Sequence, residues 1–147
     1  MRSVYDGVKV AKAVLPFNLT GTGTPTALRV QAVDTFGYNS LIFNVAVGTM
    51  TGTTTVTTFT LDAQVVECAT SGGTYTNVSG ATITQMTTFD QMAQIRVEGL
   101  GTPRARYMKI MLLGVVTPAT QAQVPVSAVA ILGRAFKVPV DNSSTGA

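Results

Sequence analysis

The chain has 147 residues, of which 46% are hydrophobic and 12% charged, with a net charge of +3, one cysteine and no histidine. That length is one domain of ordinary size, and folding it buries roughly 70% of the unfolded chain's surface, so a core forms without disulfide or metal. Lack of histidine excludes Ser-His-Asp and Cys-His catalysis within the chain and zinc held by histidine, a single cysteine excludes an internal disulfide, and so mild a charge excludes the basic footprint of a nucleic-acid-binding protein.

The opening stretch MRSVYDGVKVAKAVLP interrupts its apolar residues with Asp6, Lys9 and Lys12, against the pattern of a secretory leader. Residues 1–15 are predicted to be an extended arm, with VKVAKAVL (8–15) as its strand-like part. GTGTP (21–25) is half of a nucleotide-binding fingerprint without the third glycine or the following helix, and reads as a Thr/Gly loop. ALRVQAV (27–33) is predicted as a strand. In DTFGYN (34–39) the Asp34 side chain caps a turn. NSLIFNVAVG follows, with Leu41, Phe43, Val45 and Val47 on one face.

After the Thr-rich GTMTGTTT, VTTFTLDAQVV places Phe59, Leu61, Ala63 and Val65 inward and Thr60, Asp62 and Gln64 outward. The stretch VVECATSGGTYTNVSG (65–80) is a strand, a Ser71-Gly72-Gly73 turn and a second strand. QIRVEG points Ile95 and Val97 in, with Arg96 and Glu98 out. YMKIMLLGVV (107–116) and PVSAVAILG (125–133) are nearly continuous apolar runs, too short to span a bilayer. The tail from residue 135 is a second arm. Seven to nine short strands, turns about every ten residues and no amphipathic helix predict one all-β domain, an antiparallel β-sandwich or jelly roll.

Chemistry finds little to stand on. Cys68 lies among apolar residues beside Glu67 and is predicted to pack inside as a small hydrophobe rather than act as a nucleophile. The seven carboxylates are widely spaced. A glycosidase-like pair needs two of them to converge in space, and the chain has no Trp to stack a sugar. The sequons at Asn18, Asn77 and Asn142 are what a Thr- and Ser-rich composition produces by chance. No catalytic residue, metal site or cofactor is predicted.

Two features point outward. PRARYMK gathers Arg104, Arg106 and Lys109, an electrostatic contact for an acidic protein surface. In YMKIMLLGVV, Met108, Ile110 and Leu112 share one face, while Tyr107, Lys109, Met111 and Leu113 share the other. In SAVAILG, Val129 and Ile131 oppose Ala128, Ala130 and Leu132. Strands apolar on both faces belong in a covered sheet or a subunit interface. Met111, Leu113, Val129 and Ile131 are therefore the predicted apolar contacts of a homo-oligomer or docking surface.

DTFGYNSLIFNVAVGTMTG, FTLDAQVVECATSGGTYTNVSGA, RARYMKIMLLGV and SAVAILGRAFKVPV follow one another in an order that resembles a family of small virion proteins of tailed bacteriophages. The resemblance spans residues 8–140. It departs where ATSGG, after Cys68, replaces the family's acidic, polar turn. It implies a β-sandwich without catalytic activity, made in the host bacterial cytoplasm, that cements or decorates the head by binding the major capsid protein and itself, as a trimer rather than a dimer. No specific nucleic acid or membrane partner is implied. The competing expectations are a tail-tube or head–tail connector part, with GTMTGTTTVTTFT as a stacking hairpin, and a carbohydrate-binding sandwich module.

Overall fold

The computed structural model describes residues 7–23, 29–52, 58–101, 103–117 and 122–135. They contain no helix. Their strands are β1 (Lys9–Leu19), β2 (Thr22–Gly23), β3 (Val33–Asp34), β4 (Tyr38–Val47), β5 (Thr51–Gly52), β6 (Thr58–Cys68), β7 (Thr76–Thr82), β8 (Gln91–Glu98), β9 (Tyr107–Thr117) and β10 (Ala122–Ala135). Seven are long, within the predicted number; β2, β3 and β5 have two residues each.

The strands form two antiparallel sheets. One has the order β1-β10-β4-β8, with β5 also on β10; the other has β2-β9-β6-β7, with β3 also on β9. The pairs are nested: β1 with β10, β2 and β3 with β9, β4 with β8, β6 with β7. The chain thus folds back on itself as one long hairpin wrapped into two layers, which is jelly-roll winding. The predicted all-β sandwich is the fold observed.

Period-two alternation decides what lies between the layers. Leu41, Phe43, Val45 and Val47 of β4 meet Phe59, Leu61, Ala63 and Val65 of β6. Ile95, Val97, Met108, Ile110, Leu112, Ala128, Ala130 and Leu132 complete the buried set. A fully buried Leu, Ile or Phe contributes about 1.5–3 kcal/mol by leaving water, so this shared face is the dominant stabilising term.

The structure corrects three expectations. The strand expected at VKVAKAVL is the first part of β1, paired with β10 from Lys9↔Leu132 onward, so residues 9–15 are not a separate arm. β1 continues through Pro16 because it is an edge strand whose register shifts between Lys12 and Val14 and again between Val14 and Phe17, and a missing N–H is tolerated at such bulges. The described part of ALRVQAV, residues 29–33, is not one continuous strand. It makes a one-residue antiparallel bridge, Val14↔Val30, along the edge of β1, where Leu15 N–H donates to Arg29 O and Gln31 N–H to Ala13 O, and strand pairing resumes only at β3. Cys68 is half-buried rather than inside, because it ends β6 where the chain turns. The predicted turn follows it: Gly73 N–H donates to Thr70 O, and a Cβ at Gly73 would stand 2.6 Å from both Cys68 Sγ and Thr70 Oγ1. The remaining tail, 136–147, and the tip of the Thr-rich loop, 53–57, lie outside the described residues.

Gly114 of β9 lies opposite Leu61 of β6 and Gly23 of β2. A Cβ there would overlap Leu19 Cδ2 and sit 3.2 Å from Leu19 Cγ. Gly114→Val is therefore expected to cost about 1–3 kcal/mol through overpacking, and adding Leu19→Ala should recover part of that loss. Urea unfolding of the two single variants and the double variant checks this. Strictly additive losses would show that close approach to Leu19 is not why glycine is needed.

Candidate docking faces

The seven singled-out residues divide between opposite sides of the sandwich. Lys109, Met111 and Leu113 line the outer face of β9, and Arg104 and Arg106 lie just before that strand. Val129 and Ile131 are on the outer face of β10, in the other sheet. No single flat partner covers all seven. Met111 and Leu113 are 46% and 47% exposed and Val129 42%, while Ile131 is half-buried.

The three cations are largely engaged within the chain. Arg106 grips Asp34 with both ends of its guanidinium, Nε to Oδ1 at 2.8 Å and Nη2 to Oδ2 at 2.6 Å. Asp34 also accepts the Phe36 N–H at 3.0 Å, the predicted turn cap, and Gly37 takes the positive φ of 92° that the turn requires. The Thr35 hydroxyl and N–H both donate to Arg106 O. The DTFGYN turn and the start of β9 are thereby locked together. The Arg106 guanidinium holds the Asp34 carboxyl below its ordinary pKa; burial opposes this and the Phe36 N–H reinforces it.

Arg104 Nη1 donates to Glu67 Oε1 and the Ala105 N–H to Glu67 Oε2, both at 3.1 Å. This pins the chain before β9 to β6. Lys109 faces no carboxylate within ion-pair distance among the described residues. Its Nζ sits 4.1 Å from the centre of the Tyr75 ring, a cation–π contact. Tyr75 in turn donates its hydroxyl to Ser71 O, and burial, first of all, raises its pKa.

Tyr107 sits within the basic cluster in sequence. The structure brings two more. Phe36 lies 5.0 Å and Tyr107 5.2 Å from Arg106 Cζ, and Tyr75 reaches Lys109 from the β6–β7 turn. The Phe36 and Tyr75 contacts are long-range pairings that spacing along the chain does not encode.

Further along the β9 face lies a shallow depression of about 360 Å³, lined by Asp62, Gln64, Thr82, Ile83, Met111 and Leu113. Gln64 is opposite Met111 and Asp62 opposite Leu113 on neighbouring strands. Gln85 Nε2 donates to Asp62 Oδ2 at 2.9 Å. The lining holds no aromatic ring. Thr82, Ile83 and Gln85 escaped the sequence reading because they lie on or after the short strand β7, where alternation is broken by a register shift.

On the other outer face, register aligns Val10, Ile131, Ile42 and Arg96 in one row, and Lys12, Val129, Asn44 and Gln94 in the next. Val10 is 63% exposed and Met92, opposite Ala46, 67%. Asn44 Oδ1 is buried there with no hydrogen-bond partner among the described residues, a cost that a donor from outside would relieve. Among the described residues no cluster of His, Cys, Asp or Glu could hold a metal, and no helix is long and apolar enough to cross a membrane.

No protein-family model matches the sequence, and no curated protein matches it. Several solved structures are similar in shape. A chain of infectious bursal disease virus, Gx strain, aligns with a TM-score of 0.49 and 12% identity over 90% of this chain and 34% of its own. The CBM22-1–GH10 modules of Clostridium thermocellum xylanase 10B align at 0.36 and 13% over 94% and 28%. A Bacillus endospore appendage protein aligns at 0.32 and 12% over 92% and 96%. This chain thus spans about a third or less of the first two. At these values the similarities assign it no role.

Two predictions follow from the charge contacts. A carboxylate whose pKa is depressed in the fold stabilises above its unfolded value and loses that contribution as the pH falls through the folded value. Stability should therefore drop as the pH falls below about 4, and Asp34→Asn should flatten that drop; denaturant midpoints at neutral pH and at about pH 3 report both. Glu67→Ala strands the Arg104 and Ala105 donors and should cost about 1–3 kcal/mol, read from the same unfolding curves.

Proposed function

We propose that the chain is a non-enzymatic structural protein of a bacteriophage particle, a cement or decoration protein that binds the outer head surface and stabilises contacts between major capsid subunits. The observation that carries this reading is the pair of apolar outer faces: Met111 and Leu113 on one, Val10, Val129 and Met92 on the other, on a chain that is only 12% charged. A face of uncharged, partly apolar side chains loses little on desolvation and gains from burial. Repeated over a shell, contacts of ordinary size, about 1,600 Å² each, resist expansion together through avidity.

A non-catalytic role fits the side chains. The chain has no histidine. The Cys68 thiol meets a threonine hydroxyl at 4.0 Å, and Asp34 and Glu67 are committed to arginines. A carbohydrate-binding module gains no support from the depression on β9, because nothing in its lining can stack on a sugar ring.

The test is co-sedimentation of the full chain with purified heads of the phage that encodes it. Met111 and Leu113 each stand to gain about 1 kcal/mol from completing their burial, so Met111→Lys with Leu113→Lys should weaken binding roughly tenfold or more. Lys109→Glu should weaken it further and reduce its salt dependence, being the one cation of the cluster without a carboxylate among the described residues. A chain that stays in the supernatant at every concentration, under conditions where it is folded, would sink the reading.

A further inference from the structure

We infer that the free edge of β8 is an interface at which two copies of this chain pair, antiparallel and about a two-fold axis at Ile95, into one continuous sheet. The inference does not depend on the capsid role. It begins with the edges of the two sheets, since an unpaired edge strand is a template for another strand unless something blocks it. Three edges are blocked. β1 carries two register shifts and Pro16, and residues 29–31 hydrogen-bond along it. β2 and β3 are two residues each. β7 is interrupted by a register shift opposite β6 and by Gly80 at a φ of 74°.

β8 has none of these devices. Gln91 to Glu98 pair with β4 in unbroken register, from Val47↔Gln91 to Ser40↔Glu98. The strand contains no Pro, Gly or Lys.

The direction of its free backbone groups can be read from β4. Gly48 N–H donates to Pro125 O on the β10 side, and Asn39 O accepts from Leu100 N–H on the β8 side. Backbone groups alternate sides along a strand, so even-numbered residues of β4 face β10 and odd-numbered ones face β8. Leu41↔Val97, Phe43↔Ile95, Val45↔Ala93 and Val47↔Gln91 are then the bonded pairs. Met92, Gln94, Arg96 and Glu98 point their N–H and C=O groups out of the sheet, and none is bonded among the described residues.

A second copy is the occupant this edge fits. Pairing about Ile95 sets Met92 opposite Glu98 of the second copy and Gln94 opposite its Arg96. Every outward residue then exchanges both of its hydrogen bonds, which a register one step away does not achieve. Ala93 meets Val97 and Ile95 meets its own counterpart on the core side, so the apolar layer runs on without interruption. The strand carries one Arg and one Glu, and this register places no like charges opposite each other, which would be destabilising. Met92, the most exposed of the large apolar side chains, gains a neighbour. The interface is isologous and closed, so the product is a dimer. It supplies a symmetry the sequence did not reveal and differs from the threefold expectation.

Light scattering of the full chain over a range of concentrations should approach twice the chain mass. Hydrogen exchange should show every β8 amide from Met92 to Glu98 protected in the dimer. In a monomer, Met92, Gln94, Arg96 and Glu98 would exchange fast between protected neighbours. Gln94→Pro removes an outward donor without touching the β4 ladder and should weaken dimerisation roughly tenfold or more, whereas Met111→Lys with Leu113→Lys should leave it intact. A wild-type monomer with alternating protection overturns the inference, and so does a Gln94→Pro dimer of unchanged affinity. Should Gln94→Pro not fold, the exchange pattern of the wild type alone decides. Truncation after Ala135 should keep the dimer; a truncated chain that loses β8 protection would assign the edge to the chain's own tail and overturn the inference as well.

Discussion

Backbone pairing between strands is the constraint on which this structure depends. With no helix among the described residues, a buried N–H or C=O has no partner within its own segment and must find one on a neighbouring strand. Nested pairing meets that demand: β10 is held on both sides by β1 and β4, and β9 by β6 and the short strands β2 and β3. The inner strands can then be apolar, because their polar backbone is satisfied. Where pairing fails locally, side chains adapt. Pro125 in β10 has no N–H to give, so the ladder there is reduced to the single bond from Gly48. Glycine is kept at position 48 because a Cβ would come within 2.8 Å of the Pro125 ring.

Charge serves the same architecture at its margins. The two bidentate-style clamps, Arg106 on Asp34 and Glu67 on Arg104 with the Ala105 N–H, both tie irregular chain to β-structure. Exposed ion pairs add little to stability by themselves. These act instead by giving turn and loop residues fixed partners at the end of β3 and the start of β9. The consequence for recognition is direct. A cluster of three cations presents little free charge, and the surface that remains is dominated by neutral side chains.

The alternation of β4, β6 and β8 was legible in the sequence because each has one buried and one solvated face, so Phe43, Leu61 and Ile95 announce their side. The outward apolar residues of β9 and β10 were legible for the opposite reason, as violations of that alternation. What remained hidden depends on distant partners. The extension of β1 through Pro16 follows from its place at an edge. The short bridge at Val30, in place of a longer strand, follows from the irregular edge it pairs with, and the contacts of Arg106 with Phe36 and Lys109 with Tyr75 from ring positions set by distant segments. A local pattern reports which face of a strand is wet; it does not report which strand lies beside it.

Faces and edges make different demands on a partner. An outer face with Val129, Ile42 and Val10 accepts any surface of matching shape, because burial of apolar area has no direction. An edge accepts only another strand, in register, because each N–H must meet a C=O. β8 joins the two kinds of surface: its backbone forms the edge, while Met92 and Gln94 belong to the same outer face as Val129 and Asn44. Pairing at the edge would therefore place two copies of that face side by side in one twisted sheet, doubling its width without new sequence. Affinity for a repetitive target would then rise through the linkage of two weak sites, with the edge supplying orientation and the faces supplying area.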